Sequence, residues 1–185
     1  MSNSYRCQFM LETSTSIGTD VRYLKNITKE LIGDFPSFTS KAHITIMKEQ
    51  DLTIELLDYF LKKLDRSINQ MESVNIDLDG FGVFDRYDTC TLYLKIKPFY
   101  LIENWFDHLS DLLPYPINKH HITIARGLTK TQLATLTAHF RNITYTNSFT
   151  PVGITVLIKD DSIPGSTFKR YKTMLFKQHI LTTTT

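Results

Sequence analysis

Apolar residues recur with two periods along the chain, and these periods predict strands and helices. Alternation, or a short apolar run, predicts strands at YRCQFMLE, HITIMKE, SVNIDLDGFGVF, CTLYLKIK, HITIARG, PVGITVLIKD and TFKRYKTMLFKQ. Spacings of three and four residues predict helices at VRYLKNITKELIGDF, DLTIELLDYFLKKLDRS, FYLIENWFDHLSDLL and TKTQLATLTAHF. Adjacent strands separated by turn formers, such as RYD and DDSIPGS, are expected to pair as hairpins.

The helical spacings also predict which residues face the core. The expected inward residues are Val21, Leu24, Ile27 and Leu31; Ile54, Leu57, Leu61 and Leu64; Ile102, Trp105, Phe106 and Leu109; and Leu133, Leu136 and Phe140. Thr19 or Asp20 is expected to cap the first helix, which Gly33 ends, and Asp51 to cap the second.

The order of elements predicts an α+β fold with antiparallel sheets, because neighbouring strands pair as hairpins and helices fall between them. HITI occurs at 43–46 and again at 121–124, each time as a short strand that follows a helix and a loop and precedes another helix. We interpret this as a weak internal duplication. We expect one domain over residues 1–185, with a frayed tail at 182–185.

Composition narrows the class of protein. The chain has 185 residues, 42% of them hydrophobic, and a net charge of +2, which predicts an ordinary globular domain and leaves a local basic patch possible. No apolar run is long enough for a membrane span, and the N-terminal sequence lacks the apolar segment of a secretory signal. We therefore expect a cytoplasmic protein, in which Cys7 and Cys90 are small buried residues.

The repeated HITI word places an imidazole beside a hydroxyl on one face of a strand. Because side chains alternate between faces, His43 and Thr45 point one way while the isoleucines point into the core. His121 and Thr123 repeat this arrangement. Two such pairs facing one another could supply a general acid, a general base and two hydroxyls for phosphate oxygens. This chemistry needs no metal, and we expect no cofactor.

The other candidate motifs are weak. His120 lies next to His121, so it is expected on the opposite face as a structural or exposed residue, and His108 and His139 are expected on helix surfaces. No HExxH, GxxxxGK[ST] or GxGxxG motif is present. The glycines of GFGVF at 80–84 predict a bulge or bend in a strand.

The paired words, with DLDGFGVF and VLIKDDSIPGSTFKRYKTMLFK, resemble the 2H phosphoesterase superfamily over most of the chain. HITIAR resembles the bacterial branch of 2'-5' RNA ligases and RNA 2',3'-cyclic phosphodiesterases. The resemblance implies two pseudo-symmetric lobes, each an antiparallel sheet backed by helices, with a central cleft. It implies a phosphodiesterase acting on 2',3'-cyclic phosphates or 2'-5' linked nucleotides. Lys48 and Glu49 replace the apolar residues usual after the first word in that branch.

The resemblance also implies roles for single residues. His43 and His121 match the two catalytic histidines, and Thr45 and Thr123 match the hydroxyls that hold the phosphate. Arg126 matches an arginine that often follows the second word, where a guanidinium can bind phosphate at two points. Further residues expected at the border of the cleft, for base stacking or positive charge, are Phe84, Tyr87, Tyr171, Lys48 and Lys119.

Two other functions stay open at this stage. A binding module of the same fold could recognise a nucleotide or RNA end without chemistry. A hydrolase could instead use His43 and His121 as metal ligands, with carboxylates that converge in space. In each case we expect a monomer whose partner is a nucleotide or RNA end, with no membrane and no obligate protein partner, because the two halves can complete one cleft.

Overall fold

The computed structural model describes residues 4–177, which form four helices and eight strands. His179 and the expected frayed tail at 182–185 lie outside the described residues. The strands are β1 Ser4–Glu12, β2 His43–Thr53, β3 Ile76–Asp85, β4 Cys90–Ile96, β5 His121–Leu128, β6 Thr146–Phe149, β7 Gly153–Lys159 and β8 Lys169–Leu175. The helices are α1 Thr15–Ile32, α2 Ile54–Ile68, α3 Tyr100–Asp111 and α4 Lys130–Phe140.

The strands form one antiparallel sheet in the order β6-β3-β4-β5-β2-β1-β7-β8. Counted outward from the centre of the sheet, one half has the strand order β2-β1-β7-β8 and the other has β5-β4-β3-β6. Along the chain, the segment β1-α1-β2-α2 therefore occupies the same place in the first half as β4-α3-β5-α4 does in the second. The expected α+β class is confirmed. The division into two lobes stays a prediction. The short strand β6, which pairs with β3, was missed by the sequence patterns.

The helices bury the apolar faces that their spacing predicted. α1 packs against β5 and α4, α4 against β4, and α2 against β2 and β8. In α3, Trp105 contacts Phe176 edge to face, and its indole N–H donates to the carbonyl of Glu72 at 2.7 Å. Leu31 departs from the predicted faces, since it lies in the last turn of α1 and is 40% exposed, and Ile27 and Ile54 are only partly buried.

The first two helices begin at residues other than those predicted. Ser14 caps α1 and Thr53 caps α2, each accepting a hydrogen bond from a backbone N–H in the first turn. The predicted caps Thr19 and Asp20 lie inside α1, because the helix starts four residues before Thr19. Asp51 belongs to β2, which continues to the residue before α2. Gly33 ends α1 with a positive φ, as predicted.

The remaining local predictions hold in the described structure. The β3–β4 hairpin forms, and a register shift between Leu78 and Phe81 gives the irregularity expected from GFGVF. Both cysteines are buried and unpaired. None of the helices among residues 4–177 is long and apolar enough to cross a membrane.

Candidate active site

The two HITI words meet at the centre of the sheet. β2 and β5 are neighbours through one pair of residues, Ile44 opposite Ile122, which are the second residues of the two words. Because the strands are antiparallel and each begins at its word, they overlap only there and diverge afterwards. The side chains of Ile44 and Ile122 are fully buried, so the flanking His and Thr side chains lie on the opposite face. Both imidazole–hydroxyl pairs therefore lie on one face.

Contacts between the two halves of the fold lie next to each HITI word. Before β2, Ser37 accepts a hydrogen bond from the N–H of Arg126 in β5, and Pro36 contacts Gly127. The loop before β5 does the same to β2. The N–H of Ile117 donates to the carbonyl of Ile46, and Tyr115 accepts from the N–H of Lys48. This reciprocal contact fixes the two words relative to one another.

Both imidazoles have the same orientation. His43 Nδ1 lies 2.8 Å from the carbonyl oxygen of Lys41, and His121 Nδ1 lies 2.7 Å from that of Lys119. A carbonyl only accepts, so in each ring the proton is on Nδ1 and Nε2 carries the lone pair when the ring is neutral. The side-chain amide of Gln8 lies 3.3 Å from His43 Nε2 and donates to it. Nε2 is thus the nitrogen that can take up a proton in each ring, and at His43 its lone pair accepts the hydrogen bond from the Gln8 amide.

The surroundings lower the pKa of both histidines. For His43 the main cause is burial, and the positive charges of Lys25 and Arg126 add to it, with a smaller effect of His121. For His121 burial again dominates, with a contribution from Arg86. The hydrogen bond from each ring to its backbone carbonyl opposes the shift. Both rings are therefore held toward the neutral form, which a general base requires.

The hydroxyls of the two words are free to bind a ligand. Thr45 and Thr123 are partly exposed, and within residues 4–177 neither hydroxyl has a hydrogen-bond partner in the protein. A strand hydroxyl in that state can donate to a phosphate oxygen.

A basic residue follows each word at an equivalent position. Register shifts leave Ile46 in β2 and Ile124 in β5 without a cross-strand partner. After each shift one more apolar residue is buried, Met47 or Ala125, and then comes an exposed Lys48 or Arg126. A bulge of this type reverses the alternation of faces. It therefore returns Lys48 and Arg126 to the side of the sheet that carries the histidines.

Aromatic rings surround His121. Phe84 stacks on Tyr93 with ring centres 4.3 Å apart, and both rings contact His121, at 4.9 and 5.0 Å. Tyr93 was not among the expected site residues, although its alternation with the buried Leu92 and Leu94 indicates the opposite face. Gly82 lies across from Tyr93, and its lack of a side chain gives the ring its space. This aromatic patch also borders a groove of about 800 Å³.

One of the expected border residues, Tyr171, lies elsewhere, and a second, Tyr87, makes little contact with the protein. Tyr87 is 97% exposed in the turn between β3 and β4. The hydroxyl of Tyr171 donates to Asp58 of α2 at 2.7 Å, which places Tyr171 on the side of the sheet that α2 covers. A register shift between Val156 and Leu157 changes the facing of β8 at this point. Lys119 lies at the aromatic patch, with its ammonium 5.9 Å from the centre of the Phe84 ring.

Residues near His43 were missed because they belong to elements far away in the sequence. Lys25 of α1 is buried, and its ammonium donates to the carbonyls of Ser37 and Ser40 at 2.6 and 2.7 Å and to the Ser40 hydroxyl at 2.9 Å. Burial lowers its pKa to about 8, with contributions from Arg22 and Arg126. Lys25 thereby fixes the loop that supplies the Lys41 carbonyl to His43.

The other histidines within residues 4–177 lie outside this arrangement. His120 stacks on Phe106 with ring centres 3.8 Å apart, and burial lowers its pKa to about 4, which fits the structural role expected for it. His108 and His139 are exposed on α3 and α4, as predicted. Among residues 4–177, no group of three or more His, Cys, Asp or Glu side chains is arranged to hold a metal ion.

No family model matches the chain, and no curated protein matches it significantly in sequence. Solved structures do match. The α+β fold with an open antiparallel sheet matches that of Escherichia coli LigT. Escherichia coli LigT in apo form aligns over 96% of this chain and 100% of its own, with a TM-score of 0.66 and 13% identity.

Two further matches extend the comparison. LigT complexed with 3'-AMP aligns over 95% of this chain and 99% of its own, with a TM-score of 0.65 and 14% identity. Kluyveromyces marxianus Usb1 aligns over 95% of this chain and 99% of its own, with a TM-score of 0.55 and 12% identity. The chain spans the full fold of these proteins, and at this level of identity the likeness concerns the fold.

Proposed function

We propose that this protein is a metal-independent phosphodiesterase that acts on 2',3'-cyclic phosphate or 2'-5' linked nucleotides. The observation that carries the proposal is the pairing of Ile44 with Ile122, which brings two identical imidazole–hydroxyl pairs onto one face. The solved complex of the similarly folded LigT with 3'-AMP also supports a nucleotide ligand.

In the proposed reaction the phosphate lies between the two words. One neutral imidazole takes a proton at Nε2 from the attacking water, while the other ring, protonated, donates its Nε2 proton to the departing ester oxygen. The new P–O bond forms as the bond to the departing oxygen breaks. Thr45 and Thr123 donate to the non-bridging oxygens, where negative charge resides in the transition state, and Lys48 and Arg126 add positive charge.

The aromatic patch supplies the binding site for a nucleobase in this proposal. Phe84 and Tyr93 present ring surface beside His121, and stacking of one base on an aromatic side chain contributes about 1–3 kcal/mol. Their position next to one reacting group would place a nucleoside so that its phosphate reaches both histidines.

The test uses His43→Asn and His121→Asn, with the exposed His108→Asn as the matched control. Asparagine keeps a polar side chain of similar shape but cannot transfer a proton at neutral pH. We expect each site variant to lose about 100- to 10,000-fold in kcat on a 2',3'-cyclic nucleotide, with an unchanged circular dichroism spectrum. His108→Asn should retain full activity, and a chelator should leave the wild-type rate unchanged.

Three outcomes would contradict the proposal. Full activity in either site variant would exclude a two-histidine mechanism. Activity removed by a chelator and restored by a metal would indicate a metal-dependent hydrolase. Nucleotide binding without any product, measured by calorimetry and long incubation, would leave a binding module.

A further inference from the structure

A second cleft adjoins the candidate active site beside His43. This cleft, with a volume of about 580 Å³, lies between the end of β1, the start of α1 and the loop before β2. Its charged lining consists of Glu12, Arg22, Lys25, Lys41 and Arg170. Glu12 is the cross-strand partner of His43, and Lys41 precedes that histidine by two residues. The cleft therefore borders the end of β2 that carries His43.

The charge balance of the cleft favours an anion. Arg170 donates to the carboxylate of Glu12 at 2.5 Å, so the single acidic side chain in the lining is already paired. Arg22, Lys25 and Lys41 remain as uncompensated positive charges. The groove beside the aromatic patch differs, because its three lysines face four acidic residues, Asp79, Glu103, Asp107 and Asp111. Of these two depressions, only the cleft beside His43 is strongly basic.

The cations that line the cleft differ in whether their N–H groups can bind an anion directly. Arg22 is exposed and donates one N–H to the carbonyl of Phe38 at 3.3 Å, so its other N–H groups are available. Lys41 is exposed as well, and its side chain has no partner within residues 4–177. Lys25 has its hydrogen bonds filled by Ser37 and Ser40, so it contributes charge rather than contact. Arg22 and Lys41 are the side chains able to bind an anion directly.

The order of strands gives the direction in which a substrate would extend. Along the sheet, the aromatic patch of β3 and β4 comes first, then His121 on β5, His43 on β2, and the cleft at β1. Neighbouring strands are about 4.8 Å apart. A phosphate between the two histidines thus has aromatic rings on one side and the basic cleft on the other.

We propose that the cleft binds a second phosphate of the substrate, belonging to the nucleotide next to the reacting phosphate. This inference rests on the proposed function and narrows its substrate class. The preferred substrate is then an oligonucleotide phosphodiester that carries a further phosphate, rather than an isolated cyclic mononucleotide. The nucleoside on the other side of the scissile bond stacks on Phe84 and Tyr93.

The experiment compares two 2'-5' linked dinucleotides that differ only in a terminal 3'-phosphate on the second nucleotide. We expect the phosphorylated dinucleotide to have a kcat/KM about tenfold higher at low salt, with a difference that shrinks as salt is added. In Arg22→Gln and in Lys41→Gln this ratio should fall toward one. Lys63→Gln, which removes an exposed charge from α2, is the matched control and should keep the wild-type ratio.

The outcomes separate this inference from the proposed function. No turnover of either dinucleotide or of a cyclic nucleotide would overturn the proposed function, and the inference with it. Turnover with equal kcat/KM for the two dinucleotides would overturn the inference alone. A preference that persists in both cleft variants would place the second phosphate elsewhere and would also overturn it. Thermal unfolding of each variant confirms that the comparison concerns folded protein.

Discussion

Replacing Gly82 by alanine is expected to displace the ring of Tyr93. A Cβ atom at residue 82 would lie 2.5 Å from Tyr93 Cζ and 2.7 Å from its hydroxyl oxygen. Ordinary contacts begin near 3.4 Å, so the ring has to move by about 1 Å. It cannot move independently, because it stacks on Phe84 and touches His121. The substitution therefore perturbs both the aromatic patch and the imidazole beside it.

The cost follows from overpacking and from the loss of ring contacts. Overpacking of a filled site costs about 1–3 kcal/mol, and an aromatic pair contributes about 0.5–1.5 kcal/mol beyond burial. We expect Gly82→Ala to lower the free energy of unfolding by about 2 kcal/mol. For a chain of this length, that corresponds to a fall in Tm of about 4–8 °C. Denaturant titration followed by circular dichroism measures the free energy of unfolding, and a thermal scan measures Tm.

A double-mutant cycle isolates the contact. In a Tyr93→Ala background the obstructing ring is gone, so Gly82→Ala should cost close to nothing. Gly18→Ala is the matched control: a Cβ atom there meets nothing within 4 Å, and the site is helical, so we expect stabilisation of about 0.4–1 kcal/mol. If Gly82→Ala cost the same with and without the tyrosine ring, the steric reasoning would be refuted.

Three further predictions concern pH and packing. Because burial lowers the pKa of both His43 and His121 and the proposed reaction needs one ring protonated, kcat/KM should rise as the pH is lowered from neutral and reach its maximum below pH 6.5; a pH–rate profile that already falls between pH 7 and 6.5 as acid is added would contradict this. Lys25→Met removes a cation near His43, so the pKa of His43 should rise and the acid limb of the pH–rate profile should move to higher pH. An NMR titration of His43 measures this shift directly. In Gly153→Ala a Cβ atom would lie within 3 Å of the β8 backbone, so we expect a loss of roughly 3 kcal/mol or more, measured by denaturant unfolding.

Local patterns were sufficient for most of the elements and for the core. The spacing of Leu57, Leu61 and Leu64 predicts the buried face of α2 because a helix repeats every 3.6 residues, whatever it packs against. The facing of His43 and His121 was predictable for the same reason, since side chains in a strand alternate with a period of two. These properties depend on nearest neighbours in the chain.

Pairing between distant segments was not predictable in this way. The Ile44–Ile122 pair joins strands that are far apart in sequence. A repeated tetrapeptide does not indicate whether its two copies pair with each other, or in which register. Tyr171 was expected at the cleft, but a register shift in β7–β8 turns it toward α2, and single-residue slips leave no local signal. Tyr87 is almost fully exposed in its turn, so its place at the border of the cleft stays a prediction.

Lys25 illustrates a different limit. A lysine in an amphipathic helix is normally exposed, because burying an ammonium is costly unless acceptors surround it. Here Ser37 and Ser40 supply those acceptors from a loop that the helix spacing does not describe. The same loop positions His43 through the Lys41 carbonyl. Lys25 therefore supports the site, but sequence reasoning missed it because a helical lysine is normally expected to be exposed.

The repeat extends beyond the four-letter word, and the bulges explain why. In an unbroken strand, Met47 and Ala125 would lie on the face of the histidines, and Lys48 and Arg126 would point into the core. One extra residue in each strand reverses this, burying the apolar residue and returning the cation to the face where the phosphate would bind. The departure of Lys48 from the apolar residues usual at this position is therefore matched by Arg126 in the second half. A phosphate bound between the words would have a hydroxyl, an imidazole and a cation from each half, so that a base and an acid could act on opposite sides of the phosphorus, as an in-line displacement requires.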